Sequence, residues 1–155
     1  MSKKEKVVGC ILSVSMLLLA FWGFFVFKVF LKASFIQWLM YNVCAPTQII
    51  FFVLVIFLCR RPQNLQYLLI LVIPLTVFGT MGLFIFPWSG QGALTTQISH
   101  ILMTISAGWA IYINRRLTAL NPKVIYLIYG VSLLIAIQNW YCRETADVLK
   151  QMLNI

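Results

Sequence analysis

Long apolar stretches, separated by short polar breaks, occupy most of the chain. A helix that crosses the hydrocarbon core of a bilayer needs about 20 mostly apolar residues. Five stretches meet this requirement, at Val7–Phe27, Ile36–Cys59, Tyr67–Phe86, Leu94–Ile113 and Val124–Tyr141. We therefore predict an all-α integral membrane protein whose single domain, residues 1–155, is a bundle of five transmembrane helices.

The breaks are short and rich in charged and turn-forming residues, so consecutive helices are expected to be antiparallel neighbours. Within the second stretch, Pro46 has no backbone N–H and should leave the carbonyl of Asn42 without its usual helical partner. In the third stretch, Pro74, Gly79 and Gly82 predict an irregular helix that can approach another helix closely.

Orientation is predicted from the distribution of lysine and arginine, which favour the cytoplasmic side. With the N-terminus inside, eight basic residues are cytoplasmic and four are external. The cytoplasmic set is Lys3, Lys4, Lys6, Arg60, Arg61, Arg115, Arg116 and Lys123, and the external set is Lys28, Lys32, Arg143 and Lys150. This difference favours a cytoplasmic N-terminus and an external C-terminus.

The composition agrees with a membrane environment, because 62% of the residues are hydrophobic and 10% are charged. A soluble domain is about half apolar and a quarter charged. The net charge of +9 does not indicate nucleic acid binding, since the basic residues form short clusters between apolar stretches. Topology and anionic headgroups account for such clusters. We expect membrane lipids as partners, no nucleic acid, and a multi-pass location in a bacterial plasma membrane.

The C-terminal segment Arg143–Ile155 has its own pattern. Apolar residues recur there at helical spacing among charged ones. This pattern predicts a short amphipathic helix on the outer membrane surface, with a frayed terminus as the alternative.

Four cysteines and one histidine occur without a CxxC motif or zinc-ligand spacing. We therefore expect no metal and no other cofactor. Cys10, Cys59 and Cys142 lie in apolar surroundings, where cysteine behaves as a small hydrophobic residue, and we interpret them as small apolar residues or as lipid-facing residues.

Polar residues inside the stretches are the candidates for function, because they are costly in a bilayer unless they face the bundle interior. In the predicted orientation they gather toward the outer face. The candidate site residues are Asn42, Cys44, Gln48, Gln97, His100, Gln138 and Asn139. At a rise of about 1.5 Å per residue, Cys44 lies roughly 12 Å and His100 roughly 9 Å from their span starts.

A thiol and an imidazole at similar depth suggest nucleophilic chemistry. The imidazole can take the thiol proton, and the thiolate can attack an acyl carbon. The amide side chains would then bind or orient the substrate, or stabilise an oxyanion. In the alternative interpretation, Cys44 is a packing residue, His100 makes an interhelical hydrogen bond, and the amides hold the helices together.

Motifs in the second to fourth stretches resemble those of the bacterial YwaF-like integral membrane proteins. The similar segments are Tyr41-Asn42-Val43-Cys44, the stretch ending at Arg60-Arg61, the span ending at Phe86-Pro87, and Gln97-Ile98-Ser99-His100. This family is related to a eukaryotic transmembrane acyltransferase that remodels lipids. The resemblance implies that Cys44 is a nucleophile and His100 its base, while Asn42 replaces the first histidine of the family motif.

These observations leave three functional hypotheses open. The first is an enzyme that handles lipids or acyl groups, as a membrane-embedded acyltransferase, through an outer-leaflet Cys44–His100 pair. The second is a non-catalytic subunit that docks on a larger membrane-protein partner. The third is a small oligomeric solute carrier or channel, which is disfavoured because Glu5, Glu144 and Asp147, the only acidic residues, lie outside the apolar stretches.

Overall fold

The regular structure of the described chain is helical throughout. The structure is a computed structural model that describes residues 1–30, 32–42, 44–85, 88–89, 93–117 and 119–144. Its elements are α1 (Lys3–Val29), α2 (Phe35–Tyr41), α3 (Cys44–Arg60), a 3-10 helix (Pro62–Leu68), α4 (Leu69–Ile85), α5 (Ala93–Asn114) and α6 (Pro122–Glu144). The all-α prediction is confirmed for these residues.

The first helix begins at a capping box. The Ser2 hydroxyl accepts a hydrogen bond from the Glu5 backbone N–H, and the Glu5 carboxylate accepts one from the Ser2 backbone N–H. Both bonds satisfy donors that would otherwise be left unpaired at the helix start. Leu12, Met16 and Ala20 recur every four residues and form the buried stripe of α1.

The predicted second stretch, 36–59, is divided into two helices. The short helix α2 ends at Tyr41 with Asn42 as its C-cap, and α3 begins at Cys44. Because Pro46 has no N–H, the Asn42 carbonyl accepts instead from the Ala45 backbone N–H at 3.1 Å. The Asn42 side-chain oxygen accepts from the same N–H at 3.2 Å. The chain therefore breaks here, where the sequence predicted a kink within one continuous helix.

The third and fourth apolar stretches form the most extensive helix pair, α4 with α5. A Cβ atom added at Gly79 would lie 2.7 Å from Thr104 Oγ1 and 2.9 Å from the Thr104 backbone nitrogen. One turn later, a Cβ atom at Gly82 would overlap the imidazole of His100. The two glycines thus allow the close helix approach that the sequence predicted.

The remaining helices complete a bundle around this pair. Helix α1 packs on α3 and α5, and α6 lies mainly against α4. Gly9 accommodates the indole of Trp109, since a Cβ atom there would lie 2.5 Å from the ring. Trp109 also meets Phe51 edge to face, with ring centroids 6.0 Å apart. These contacts join α1, α3 and α5 in one buried cluster.

Large apolar side chains cover much of the outer surface, among them Phe84 and Tyr126, which are 89% and 76% exposed. Within the residues that the structure describes, two helices are long and apolar enough to cross a bilayer, Lys3–Val29 and Gln63–Phe84, and two shorter apolar helices are Cys44–Arg60 and Pro122–Gln138. The two long helices indicate that the chain associates with a membrane. The predicted amphipathic tail lies largely outside the described residues, which end at Glu144.

Substituting Gly79→Ala should destabilise the bundle, because the added methyl group would meet the α5 backbone, which cannot move aside locally. We expect a loss of about 1–3 kcal/mol in the free energy of unfolding, measured by thermal or denaturant unfolding in detergent.

Gly108→Ala is the matched control. Gly108 lies within α5, the partner helix of α4, but nothing occupies the space around it within 4 Å. This variant should be neutral or up to about 1 kcal/mol more stable. Equal stability of the two variants would contradict the close α4–α5 contact.

Candidate functional site

The candidate thiol lies at the first residue of α3. The break after Asn42 lets Cys44 start a new helix, and the Asn42 side chain caps that start through Ala45. Cys44 is partly buried against the main apolar cluster. The same break that ends α2 therefore sets the position of the thiol.

The imidazole of His100 projects from the second turn of α5 and is only 3% exposed. It lies against Gly82 of α4, in the space that a side chain at that position would fill. The His100 carbonyl accepts a hydrogen bond from Thr104 Oγ1 at 3.0 Å, and the imidazole bonds with the backbone of Thr96. Helices α4 and α5 together hold the ring in place.

The structure brings Cys44 and His100 into contact. The Cys44 sulfur lies 3.6 Å from Nε2 of His100, within hydrogen-bonding distance for sulfur. In the tautomer with the proton on Nδ1, Nε2 presents its lone pair to the thiol. In that arrangement the thiol donates to the ring, and proton transfer would leave a thiolate beside an imidazolium.

A second polar contact lies one turn along the same helix interface. Gln48 of α3 is 2% exposed, and its Nε2 donates a 2.6 Å hydrogen bond to Ser99 Oγ of α5. The Gln48–Ser99 contact and the Cys44–His100 contact thus join adjacent turns of α3 to two consecutive residues of α5. Together they fix the relative rotation of the two helices at this depth.

The other sequence candidates occupy different positions. Gln97 is 1% exposed on α5, three residues before His100. Asn42 faces Gly23 of α1, where its Nδ2 lies 3.1 Å from an added Cβ. Gln138 Nε2 donates to the Leu39 carbonyl at 3.3 Å and so joins α6 to α2. Asn139 belongs to α6, but its side chain lies outside the described residues.

Three contributors to the site were not among the predicted site residues: Ser99, Gly82 and Thr104. Ser99 is adjacent to His100 in the sequence and could have been included by depth alone. Gly82 was predicted to permit close helix packing, but its partner could not be named. Gly79 contacts Thr104 and Gly82 contacts His100, and this pairing of α4 with α5 is visible only once the helices are docked.

The site contains a thiol and a proton acceptor. Among them, no three histidine, cysteine, aspartate or glutamate side chains lie close enough to hold a metal ion. Catalytic zinc sites ordinarily use three protein ligands. What the site offers is a thiol, an imidazole and neighbouring amide and hydroxyl groups.

Comparisons with protein-family models, curated proteins and solved structures gave no match. Function is therefore argued from the geometry and chemistry of the site itself.

Removing the imidazole should lower the reactivity of Cys44. In His100→Gln we expect alkylation of Cys44 by a small, bilayer-permeant maleimide to slow on the order of tenfold, because the thiol loses its proton acceptor. Gly82→Ala should also slow the alkylation of Cys44, because the added methyl group would displace the imidazole of His100. Peptide mass spectrometry after timed labelling gives the rate at each cysteine.

Cys59 serves as the internal comparison in these samples, and Gly130→Ala, which has open space around it, controls for a glycine substitution. A general loosening of the bundle would speed alkylation at every cysteine. An unchanged Cys44 rate in both site variants would contradict a functional contact between the thiol and the imidazole.

Proposed function

We propose that the chain is a multi-pass membrane enzyme that transfers acyl groups, with Cys44 as the nucleophile and His100 as the general base. The observation that carries this proposal is the 3.6 Å contact between the Cys44 sulfur and His100 Nε2. A nucleophile and a base within hydrogen-bonding reach are the elementary requirement for covalent catalysis. The resemblance to the YwaF-like family assigns the same two residues the same roles.

The proposed reaction has two steps. His100 takes the proton from the Cys44 thiol, and the thiolate attacks the carbonyl carbon of a lipid ester. The carbon–oxygen bond breaks, the leaving alcohol takes the proton from the imidazolium, and the acyl group remains on Cys44 as a thioester. An acceptor alcohol or water then attacks the thioester, with His100 as base, and releases the thiol.

The amide side chains are proposed to assist this reaction. Gln48 lies one turn from Cys44 on α3, and Gln97 lies close to His100 on α5, so either amide could donate to the developing oxyanion. Asn42, Gln138 and Asn139 are proposed to bind or orient the substrate. The mixture of buried polar groups and apolar walls suits an ester group attached to fatty acyl chains.

The proposed setting is a bilayer crossed five times, with the N-terminus inside and the C-terminus outside. The five predicted stretches coincide with α1, α2 plus α3, α4, α5 and α6. In this orientation the starts of α3 and α5 face the outer leaflet. Lipid in that leaflet of a bacterial plasma membrane would reach Cys44 from the side.

The peripheral position of α6 supports a second candidate, an accessory subunit of a larger membrane complex. Helix α6 packs mainly on α4 and exposes Tyr129, Leu134 and Trp140, each by more than 60%. A membrane-protein partner could cover this face. Purification in mild detergent would favour this candidate if a stoichiometric partner remained bound to the wild type and was lost from a Tyr129→Ala, Leu134→Ala variant.

Trapping of the acyl-enzyme tests the catalytic proposal. Membranes containing the protein are incubated with a phospholipid that carries an alkyne-tagged acyl chain, and the tag is then coupled to a fluorophore. We expect label on wild-type Cys44 that neutral hydroxylamine removes, as for a thioester. Cys44→Ser should carry hydroxylamine-resistant label or none, and His100→Gln should be labelled roughly 100-fold more slowly.

Cys59→Ala is the matched control, because it removes a cysteine from the other end of the same helix and should leave labelling unchanged. Label on a residue other than Cys44, or equal labelling rates in wild type and His100→Gln, would contradict the proposed roles.

The proposed topology predicts that a short tag added after Ile155 is reached by an antibody on intact cells, while a tag before Met1 is reached only after permeabilisation. The physical reason is the excess of lysine and arginine on the side of the N-terminus. Each tagged protein should first pass the thermal unfolding measurement of the untagged chain. A cytoplasmic C-terminal tag would place the Cys44–His100 pair in the inner leaflet and contradict the outer-leaflet assignment.

A further inference from the structure

A second pair of reactive groups lies at the opposite end of α3 from Cys44. Cys10 of α1 and Cys59 of α3 are 49 positions apart in the chain, and their sulfur atoms are 3.8 Å apart. Both are free cysteines and both are partly exposed. The sequence does not predict this contact, because helix rotation decides whether the two residues meet.

The surrounding contacts keep the two sulfur atoms together. Helices α1 and α3 pack along their lengths. One turn before Cys10, the Lys6 ammonium donates a 3.0 Å hydrogen bond to the Cys59 carbonyl. This bond ties the start of α1 to the last turn of α3, the helix end at which carbonyls lack intrahelical partners. The proximity of the thiols is therefore supported by a separate contact between the same two helix ends.

We infer that Cys10 and Cys59 form a reversible disulfide that links α1 to α3. The sulfur atoms must approach from 3.8 Å to a bond length of about 2.05 Å. This movement is shared by two side chains on helices that are already packed. The inference is independent of the proposed acyl transfer, which involves neither residue.

Formation of the bond requires an oxidant, and we propose a small-molecule disulfide such as glutathione disulfide. One cysteine of the pair, as thiolate, attacks a sulfur of that disulfide, which releases one glutathione and leaves a mixed disulfide. The second cysteine attacks the protein sulfur and releases the other glutathione. Two electrons pass from the cysteine pair to the glutathione disulfide, and the two cysteine protons end on the two released thiols.

A disulfide fits this pair better than a metal ion does. Structural zinc sites use four ligands, and catalytic sites ordinarily use three from the protein. Within the described ranges, no third histidine, cysteine, aspartate or glutamate joins Cys10 and Cys59. Two thiols in contact are, by contrast, the complete set of groups that a disulfide needs.

The location of the Cys10–Cys59 pair determines its redox state under ordinary conditions. In the proposed orientation, the start of α1 and the end of α3 face the cytoplasm, where thiol pools keep most cysteines reduced. The pair would then be a dithiol that closes only when the local ratio of disulfide to thiol rises. Partial exposure of both residues gives a small oxidant access to them.

The test uses the full-length protein in detergent, equilibrated with glutathione buffers of increasing disulfide content. After acid quenching and alkylation, peptide mass spectrometry identifies each cysteine as free, glutathionylated or linked. We expect a Cys10–Cys59 linked peptide in the wild type, with Cys44 remaining alkylated. Cys10→Ser and Cys59→Ser should each lose the linked peptide completely, and the remaining cysteine of the pair should carry glutathione.

The wild-type measurement is informative even if a variant does not fold. Three results would each overturn the inference. The first is glutathione on both Cys10 and Cys59 without a disulfide between them, and the second is a disulfide from either residue to Cys44 or Cys142. The third is that both thiols stay free in the most oxidising buffer. Failure of acyl transfer by Cys44 would leave this result unchanged, because the linked peptide is measured without any lipid substrate.

Discussion

The close contact between α4 and α5 is the constraint on which the candidate site depends. Gly79 removes the side chain that would separate the two helices, and the Thr104 backbone occupies the space. One turn later, Gly82 leaves room for the imidazole of His100. In a bilayer, lipid tails are as apolar as leucine, so close packing of small residues contributes much of the association between helices. The packing that holds the bundle together is thus also what fixes the proposed base.

Buried polar side chains restrict how the helices of an apolar bundle can pack against one another. A buried polar side chain without a partner is costly, and the interior of a bilayer supplies no water to replace one. Gln48 hydrogen-bonds Ser99, Cys44 contacts His100, and the Asn42 side-chain oxygen accepts a hydrogen bond from the Ala45 backbone N–H at the start of α3. These hydrogen bonds act together with the packing of α3 on α1 and the Phe51–Trp109 ring contact to set how α3 is rotated. The thiol faces the imidazole partly because its neighbours on the same helix have their own partners.

The sequence predicts the helices well because apolar length is a local property. It also places Cys44 and His100 at similar depth, since depth follows from counting residues along a span. It does not predict the break at Asn42, because the balance between a kink and two helices depends on whether the Asn42 side chain can cap Ala45. It could not pair Gly82 with His100, or Cys10 with Cys59, because both contacts depend on helix rotation. The roles of the amide residues stay predictions, since their contacts suit packing and substrate binding equally.

Helix α3 carries two cysteines, and its partners make them chemically different. Its 17 residues, Cys44 to Arg60, extend over about 25 Å, so the two thiols lie near opposite ends. Cys44 meets a nitrogen base, which can accept a proton and return it, as group transfer requires. Cys59 meets another thiol, which can share a bond with it once two electrons are removed. Cys44 lies within the second apolar stretch and Cys59 at its end, and residue type alone does not distinguish their chemistry. The group presented by the neighbouring helix separates them, and for this reason we propose acyl transfer at one end of α3 and disulfide formation at the other.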